Sequence, residues 1–340
     1  MQNTSSRKKQ PVAVFFGCDE RYAKYLSVAL GSLIANSSPK RVYDIHVLHT
    51  DISEPTQAII RGMATKNVHV TFDNVEADLK DLVAQLPVRD YYSLSTYYRF
   101  VIANKFTQYS KAIYVDCDTA IVGDIAKLFD INIGNKYVAA VQDAVVATVP
   151  VCTEYVQKVL GVPGSHYFNA GMIVINCDQW REHDVLGQFV QLVGFYNFVV
   201  AQDQDYLNVI CKNKTYALSK RWNCQTLKQW RINPADIGII HYNFGVKPWH
   251  NINCLYGQYF WKYASASPFY MEIKADFAAY SDEMMERERA VGGKVIALCQ
   301  EEIDRKDNFM ALVCQKRTAQ SLLENSETAD LVNRIRYANA

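Results

Sequence analysis

The chain has 340 residues, of which 49% are hydrophobic and 21% charged, so it can bury one large core or two smaller ones. Its formal net charge of +1 gives no electrostatic footprint for a nucleic acid and no support for non-specific polyanion binding. The nine cysteines form no C-x-x-C pair, so we expect free thiols in a reducing compartment and no structural zinc site.

The N-terminal stretch MQNTSSRKKQ is polar and basic, and the apolar run after it is too short for the hydrophobic region of a signal peptide. No window reaches the roughly 20 apolar residues that a membrane span requires. These two features predict a cytoplasmic protein without a membrane span. Weak peripheral association with a membrane stays open.

Predicted strands and helices alternate from the start of the chain. Apolar periodicity predicts, in chain order, a strand at 12–17, a helix from 22 to 36, strands at 42–50 and 67–75, a helix at 92–106, and strands at 111–115 and 136–143. Pro55, two residues after Ser53, predicts the first turn of another helix between the second and third strands. The alternation predicts an α/β fold with a mixed, mostly parallel sheet.

The second half of the chain is less regular. Residues 165–180 predict a turn that contains Gly171 and leads into an apolar strand, residues 195–213 a loop before a helix, and residues 238–250 a strand before a loop. Residues 271–340 predict two or three amphipathic helices that are interrupted at the pair Gly292 and Gly293. This segment holds more acidic than basic residues, which gives no support for a basic membrane anchor. We expect it to pack on the preceding domain or to form a homodimer.

The stretch IYVDCDTAIVGDI ends an apolar run with Asp116 and Asp118. Alternate side chains of an extended segment point the same way, so both carboxylates can face one ligand, and a divalent cation would relieve their repulsion. A short D-x-D motif also arises by chance, and residues 203–205 are a second example. From the motif alone, a solvated turn stays open.

Three polar clusters follow directly after predicted strands, at 18–20, 116–118 and 142–143. Ligands of open α/β sheets bind beyond the carboxyl ends of the strands, so the three clusters predict a site at that edge. The sequence lacks the glycine patterns of P-loop and dinucleotide-binding proteins. The acidic turn GCDERY suits a hydrogen bond to a base or ribose better than a contact to phosphate.

Six motifs, in this order, resemble those of bacterial members of glycosyltransferase family 8: FFGCDERYAKYL, YYSLSTYYRF, YVDCDTAIVGDI, HYFNAGMIVIN, AQDQDYLN and HYNFGVKPWH. The resemblance covers roughly residues 12–262. It implies a GT-A fold, which is Rossmann-like, with a catalytic domain at 1–265 and a helical C-terminal extension at 266–340. It also implies a retaining hexosyltransferase that moves galactose or glucose from a UDP-sugar to a saccharide acceptor in cell-surface glycan, such as lipopolysaccharide, or glycoprotein assembly.

By the same resemblance, Asp116, Asp118 and His241 are ligands of manganese, with magnesium as the alternative. Two carboxylates and one imidazole form a mixed oxygen and nitrogen set that suits manganese. Lys247 is implied to contact the diphosphate and to stabilise the leaving group in catalysis. The loop departs from the common family pattern, in which a glycine stands three residues after the histidine. Phe244 holds that position here, and the glycine that could contact phosphate is Gly245.

The donor-binding residues implied by the resemblance fall into a nucleoside group and a sugar group. The nucleoside group comprises Gly17, Cys18, Asp19, Tyr22 and Cys117. Tyr22 is implied to stack on uracil. The sugar group comprises Arg99, Asp143, Asn169, Ala170, Asp203 and Gln204, whose polar side chains match hexose hydroxyls.

Gln204 and Asp203 are also implied to act in catalysis, together with Lys247. A retaining glycosidase uses a carboxylate pair about 5 Å apart, whereas this family has no carboxylate well placed at the anomeric carbon. We therefore predict front-face attack, in which Gln204 positions or shields the oxocarbenium-like centre and a phosphate oxygen of the leaving group takes the acceptor proton.

Three other functions compete with this prediction. A haloacid-dehalogenase-type phosphatase also has D-x-D-x-[TV] after a strand, but the fifth position here is Ala120. A non-catalytic nucleotide-sugar-binding protein would not need the full set of implied catalytic residues. A glycogenin-like enzyme that glucosylates its own tyrosine stays open, because the chain has 22 tyrosines.

Overall fold

The structure is a computed structural model that describes residues 10–80, 86 and 94–324. Its strands are β1 (Val12–Gly17), β2 (Tyr43–His49), β3 (Val68–Asn74), β4 (Lys111–Val115), β5 (Thr119–Ile121), β6 (Val138–Gln142), β7 (Phe168–Asn176), β8 (Thr215–Ala217), β9 (Cys224–Gln225) and β10 (Ile239–His241). Its helices are α1 (Ala23–Asn36), α2 (Glu54–Arg61), α3 (Glu76–Leu79), α4 (Ile102–Lys105), α5 (Ala126–Phe129), α6 (Ala144–Thr148), α7 (Pro150–Lys158), α8 (Cys177–Glu182), α9 (Val185–Phe195), α10 (Asp203–Ile210), α11 (Gly257–Ala264), α12 (Tyr270–Ala279), α13 (Asp282–Asp304) and α14 (Phe309–Glu324).

The larger sheet of the described chain has the strand order β3-β2-β1-β4-β7-β6-β8. The four strands β3, β2, β1 and β4 are parallel, β7 is antiparallel to both of its neighbours, and β8 is parallel to β6. The predicted α/β class with a mixed, mostly parallel sheet is therefore confirmed. The carboxyl ends of β1 and β4 are adjacent, which brings the turns at 18–20 and 116–118 together.

The hydrophobic core lies on both faces of this sheet. In β1, Val12, Val14 and Phe16 pack into one cluster, whereas Ala13 and Phe15 pack into the other. A strand that is covered on both faces needs apolar residues at every position, which explains the uninterrupted run VAVFFG. The first helix, α1, covers one face and ends at Asn36, the first residue of NSSPK, as predicted.

A small sheet with the order β5-β10-β9 stands beside the larger one. β5 is antiparallel to β10, and His241 pairs with Thr119, which directly follows the D-x-D motif. This pairing, which the sequence did not predict, joins residues more than a hundred positions apart. It brings His241 to the aspartates at the end of β4.

One prediction about local structure was wrong and another was refined. Gly171 lies inside β7 and not in a turn, because Phe168 to Asn176 form one continuous strand. The helix predicted at 92–106 is confirmed over 94–105, where a 3-10 helix over Leu94–Val101 is followed by α4; residues 92 and 93 lie outside the described residues. The tighter winding of a 3-10 helix brings residues three apart into line, and here the Nε atom of Arg99 donates to the carbonyl oxygen of Thr96 at 2.7 Å.

The predicted break at Gly292 and Gly293 was also wrong. α13 runs unbroken from Asp282 to Asp304, although glycine inside a helix costs about 1 kcal/mol relative to alanine. Tertiary packing outweighs that cost, because the C-terminal part of α13 buries Cys299 and Glu302. The Sγ atom of Cys299 lies 3.7 Å from that of Cys152 on α7, so this helix packs on the core of the larger sheet.

The nine cysteines are free thiols, and all except Cys314 are buried, which agrees with the prediction. Across the described helices, none combines the length and the apolarity that crossing a membrane would require. The boundary predicted at 265 stays a prediction. The buried Phe269 and Ile273, however, belong to the same hydrophobic cluster as α1.

Candidate active site

The three predicted metal ligands meet at the carboxyl end of β4. Asp116 follows β4, and its N–H donates to the carbonyl oxygen of Gly171 at 2.8 Å. The carbonyl oxygen of Asp118 accepts from the N–H of Tyr242 at 2.9 Å, directly after His241 ends β10. One oxygen or nitrogen atom from each of Asp116, Asp118 and His241 lies within 4.8 Å of the others.

The chemistry of these atoms fits a divalent cation. The Nε2 atom of His241 lies 3.2 Å from Oδ1 of Asp118 and 3.7 Å from Oδ2 of Asp116. Both Nε2 and Oδ1 are buried, and neither has a hydrogen-bond partner among the described residues. The Nδ1 atom of His241 lies 3.0 Å from Oδ1 of Asn223, which can only accept, so the ring proton is on Nδ1 and a lone pair is on Nε2. Two lone pairs face each other, and a cation between them satisfies both.

Lys247 supplies the positive charge beside this cluster. Its Nζ atom lies 2.6 Å from Oδ2 of Asp118 and donates to the carbonyl oxygen of Tyr242 at 2.5 Å. Burial of Asp118 disfavours ionisation, but the charge of Lys247 outweighs it and holds the pKa of Asp118 below its usual value. The carboxylate therefore stays ionised and able to bind a metal at neutral pH. The carbonyl oxygen of Gly245 accepts from the N–H of Lys247 at 2.9 Å, which turns the loop back toward the cluster.

Gly171 is a site residue that the sequence analysis missed. A methyl group on its Cα would overlap the imidazole of His241 and approach Oδ2 of Asp116. Only glycine leaves room for the cluster at this position of β7. The available signal was a glycine inside an apolar strand, which often marks the close approach of another group.

Arg99 connects the predicted metal ligands with the predicted sugar group. The guanidinium is 2% exposed, so it must be paired. It lies 3.2 Å from Oδ1 of Asp116 and 3.3 Å from Oδ2 of Asp203, and it donates to the carbonyl oxygen of Ala170. Its carbon Cζ also lies 4.1 Å from the centre of the Tyr114 ring. Arg99 is a buried structural hub and not a surface ion pair.

The predicted sugar residues form one hydrogen-bonded network. Nδ2 of Asn169 donates to Oδ2 of Asp143 at 3.1 Å, and Nε2 of Gln204 lies 3.3 Å from the same oxygen. Oε1 of Gln204 accepts from the N–H of Ala170 at 2.9 Å. Asn223, which was not predicted, donates to Oδ1 of Asn169 at 2.9 Å and so connects this network with His241. The amide of Gln204 is held from both ends.

Two carboxyl groups on α10 are buried on either side of Gln204. Burial raises the pKa of Asp203 to about 6, although the charge of Arg99 acts against this shift. Burial also raises the pKa of Asp205 to about 6. Asp205 accepts hydrogen bonds from Tyr155 at 2.9 Å, Tyr167 at 2.6 Å and the N–H of Ala201 at 2.9 Å. With three donors on its oxygens, Asp205 faces the protein interior and is occupied by structural contacts.

The predicted nucleoside residues lie at the turn after β1. Oδ1 of Asp19 accepts from the N–H of Tyr22 at 2.9 Å and so caps a short 3-10 helix. The thiol of Cys117 donates to the carbonyl oxygen of Gly17 at 3.3 Å, and the buried Cys18 is the next residue. Burial raises the pKa of Tyr22 to about 12, with Lys247 and Asp118 close enough to influence it. The turn therefore borders the cluster of the three predicted metal ligands.

The contacts above connect the predicted groups into one continuous site. A path of polar contacts runs from Lys247 through Asp118, His241, Asp116 and Arg99 to Asp203, and from Ala170 through Gln204 to Asn169 and Asp143. The Tyr91, Tyr92 and Ser93 of the motif YYSLSTYYRF lie outside the described residues.

Comparisons with known proteins identify the family of the chain. The profile described as "Glycosyl transferase family 8" matches residues 13–253. A lipopolysaccharide 1,3-galactosyltransferase of Salmonella typhimurium is 30% identical over 75% of this chain and 78% of its own length. A lipopolysaccharide 1,2-glucosyltransferase of Escherichia coli is 23% identical over 77% of this chain and 80% of its own length.

Solved structures give the same result. The galactosyltransferase LgtC, crystallised with donor and acceptor sugar analogs, matches with a TM-score of 0.65 and 26% identity over 76% of this chain and 96% of its own. The bifunctional glycosyltransferase WbbM matches with a TM-score of 0.70 and 25% identity over 80% of this chain, which spans 53% of WbbM. The predicted GT-A fold is confirmed. The chain belongs to glycosyltransferase family 8.

Proposed function

We propose that this protein is a retaining, metal-dependent hexosyltransferase that moves galactose or glucose from a UDP-sugar to a saccharide acceptor. The observation that carries the proposal is the pair of unpartnered buried atoms, Nε2 of His241 and Oδ1 of Asp118, with the ammonium of Lys247 2.6 Å from the other oxygen of the same carboxylate. Two buried atoms with free lone pairs suit a divalent metal, and the Lys247 ammonium beside them suits the diphosphate that the metal would bind.

Different residues of the site bind the three parts of the donor, which are the uridine, the diphosphate and the hexose. The turn that contains Asp19 and Tyr22 takes the uridine, with Tyr22 as the ring on which uracil stacks. Asp116, Asp118 and His241 would hold manganese, or magnesium, which when bound supplies positive charge to the diphosphate. Lys247 stabilises the negative charge that develops on the departing UDP, because its ammonium is already fixed and needs no reorganisation.

The hexose lies over the network of Asp143, Asn169 and Gln204 in this proposal. Fixed carboxylate and amide groups match fixed hydroxyls, so the network sets the orientation of the sugar ring. Asp203 acts through Arg99, with which it shares a buried ion pair, and so holds the neighbouring Ala170 carbonyl and Asp116 in place. It is a positioning residue.

Gln204 is the side chain that we place at the anomeric carbon. Its amide is held by Ala170 on one side and by Asp143 and Tyr167 on the other, with Nε2 3.2 Å from the Tyr167 hydroxyl. An amide is a poor nucleophile, and Asp205 is turned into the protein by its three donors. This arrangement supports front-face attack, in which the acceptor hydroxyl enters on the side that UDP leaves and its proton passes to a phosphate oxygen of UDP.

The relatives suggest the acceptor class. The similar proteins from Salmonella typhimurium and Escherichia coli are named as lipopolysaccharide galactosyl- and glucosyltransferases. We therefore place this chain in cell-surface glycan assembly, with a growing saccharide as acceptor. No observation favours self-glucosylation, peripheral membrane association or homodimerisation, and none of these belongs to the proposal.

The experiment is release of UDP from a panel of UDP-sugars without acceptor, first with manganese and then with EDTA. Turnover of UDP-galactose or UDP-glucose that EDTA and Asp118→Ala both abolish would support the proposal and identify the hexose. If the panel is silent, UDP with manganese is tested for a rise in melting temperature, because a ligand that binds only the folded state stabilises it. If the protein shows no turnover and UDP with manganese does not stabilise it, the proposal is overturned.

A further inference from the structure

A second cavity lies along the edge of the larger sheet, outside the residues described above. This edge groove, of about 510 Å³, runs beside β6 and β8 and reaches the loop before β7 and the end of α10. Phe168 lines it, whereas the next residue, Asn169, belongs to the sugar network. The edge groove is therefore next to the sugar network, but Asp143, Asn169 and Gln204 do not line it.

The charge of the edge groove is entirely positive among the described residues. Lys136, Lys212 and Lys220 line it together with His166, and no aspartate or glutamate does. Nζ of Lys136 donates to the carbonyl oxygen of Asn213 at 3.1 Å, and none of the three lysines forms an ion pair with a described carboxylate. Three lysines along one cavity concentrate positive charge there, and this charge attracts an anion. The net charge of the whole chain, +1, gives no indication of this local excess.

One wall of the edge groove holds a tryptophan, whose aromatic face and N–H group can both contact a sugar. Trp230 lines the cavity, is 6% exposed, and its Nε1 has no hydrogen-bond acceptor in the described part of the chain. The ammonium of Lys220 lies 3.4 Å from the centre of an indole ring of Trp230. Lys220 is exposed, and a cation–aromatic contact made by an exposed side chain is weak enough for an ion pair to replace it.

We propose that the edge groove binds an acidic saccharide, in which carboxylate or phosphate groups alternate with apolar sugar faces. Lys220 moves from the indole to pair with an anionic group of the ligand. The uncovered face of Trp230 packs against a sugar ring, and its N–H gains an acceptor. Lys136 and Lys212, at the other end of β6 and β8, pair with a second anionic group. The groove would then hold a distal, charged part of a glycan, separate from the transfer site.

The test is a titration of tryptophan fluorescence with tetragalacturonate, with neutral maltotetraose as the matched probe and without UDP-sugar or metal. We expect tetragalacturonate to change the emission saturably and the change to weaken as salt is raised, because exposed ion pairs are screened. The double variant K212A/K220A should weaken binding about tenfold or more, since hydrogen bonds to charged groups are strong. A phosphorylated oligosaccharide in place of tetragalacturonate shows which anionic group is preferred.

The control is the double variant K66A/K127A, which removes two exposed lysines that do not line the groove. It should bind as the unmodified protein does. Equal binding of maltotetraose, no binding of either acidic probe, or equal weakening by both double variants would each overturn the proposal. The rise in melting temperature with UDP and manganese should be unchanged in K212A/K220A, so the edge groove and the transfer site are tested independently.

Discussion

The Nε2 atom of His241 and the Oδ1 atom of Asp118 face each other at 3.2 Å across a buried space, and neither has a hydrogen-bond partner among the described residues. A folded protein rarely buries two polar atoms in this way unless a ligand pairs with them. The Lys247 ammonium on the other carboxylate oxygen keeps Asp118 ionised. These three residues are therefore arranged for a cation and an anionic ligand together.

Asp118→Ala should abolish the stabilisation by UDP with manganese and lower kcat by at least 100-fold, since one ligand of the proposed metal and the partner of Lys247 are both lost. The measurement is the melting temperature with and without UDP and manganese, followed by UDP release. Asp236→Asn, at an exposed carboxylate, is the control and should behave as the unmodified protein does. Manganese-dependent stabilisation that survives Asp118→Ala would contradict the assignment.

Lys247→Gln should lower kcat by about 100- to 1000-fold, the range found when one donor to a developing anion is removed. Manganese should still bind, because the three proposed ligands remain. The pKa of Asp118 should rise toward its usual value without the neighbouring ammonium. Steady-state kinetics and a manganese titration followed by electron paramagnetic resonance separate these effects. Loss of manganese binding with unchanged turnover would contradict this prediction.

Gly171→Ala should remove manganese binding, because the added methyl group overlaps the His241 ring. The matched control is Gly292→Ala on α13, where nothing lies within 4 Å of the added carbon. That change should leave activity unaltered and stabilise the helix by up to about 1 kcal/mol. Manganese titration and thermal unfolding of both variants provide the test. Normal manganese affinity in Gly171→Ala would show that the ligands lie elsewhere.

The raised pKa of Asp203, about 6, makes the stability of the protein depend on pH. Unfolded aspartate ionises near pH 4, so between about pH 4 and 6 the folded state holds a proton that the unfolded state has lost. Stability therefore falls as pH rises through this window, by roughly 3 kcal/mol for a shift of about two pKa units. Urea unfolding from pH 4 to pH 7 should show a smaller decline for Asp203→Asn than for the unmodified protein. An equal decline of stability with pH in the variant and the unmodified protein would show that Asp203 does not cause the pH dependence.

Ile273→Ala should lower the free energy of unfolding by about 2–5 kcal/mol, the usual cost of a large cavity in a core. Ile273 is fully buried on α12 and packs in the same cluster as α1. Met271→Ala, on the same helix at 72% exposure, should change stability by less than about 0.5 kcal/mol. Denaturant unfolding of both variants tests whether the predicted extension from residue 266 folds with the catalytic domain. Equal, small effects would indicate a separate unit.

The order of the elements and most of the site could be predicted because they depend on local patterns. Continuous apolar runs such as VAVFFG indicate strands that are buried on both faces, and the acidic or amide residues directly after them indicate an edge where a ligand binds. The resemblance of six motifs then supplied the partners of Asp116 and Asp118. The structure places His241 and Lys247 beside them.

The contributions of Gly171, Asn223 and the small sheet could not be predicted in the same way. Gly171 was assigned to a turn, because a glycine signals a turn more often than the close approach of an imidazole. The break predicted at Gly292 was wrong because helix propensity is a weak local preference, and burial of Cys299 farther along α13 outweighs it.

By itself the sequence determined the α/β class and the strand-end position of the carboxylates, since both follow from spacing along the chain, and the resemblance of its motifs implied the identity of the candidate ligands. Only the tertiary structure decided that Nε2 of His241 and Oδ1 of Asp118 share one space, that Arg99 is a buried hub, and that three lysines converge on the edge groove. These relationships join residues far apart in the chain. Distance and burial, which set the strength of charge interactions, are properties of packing and not of sequence order.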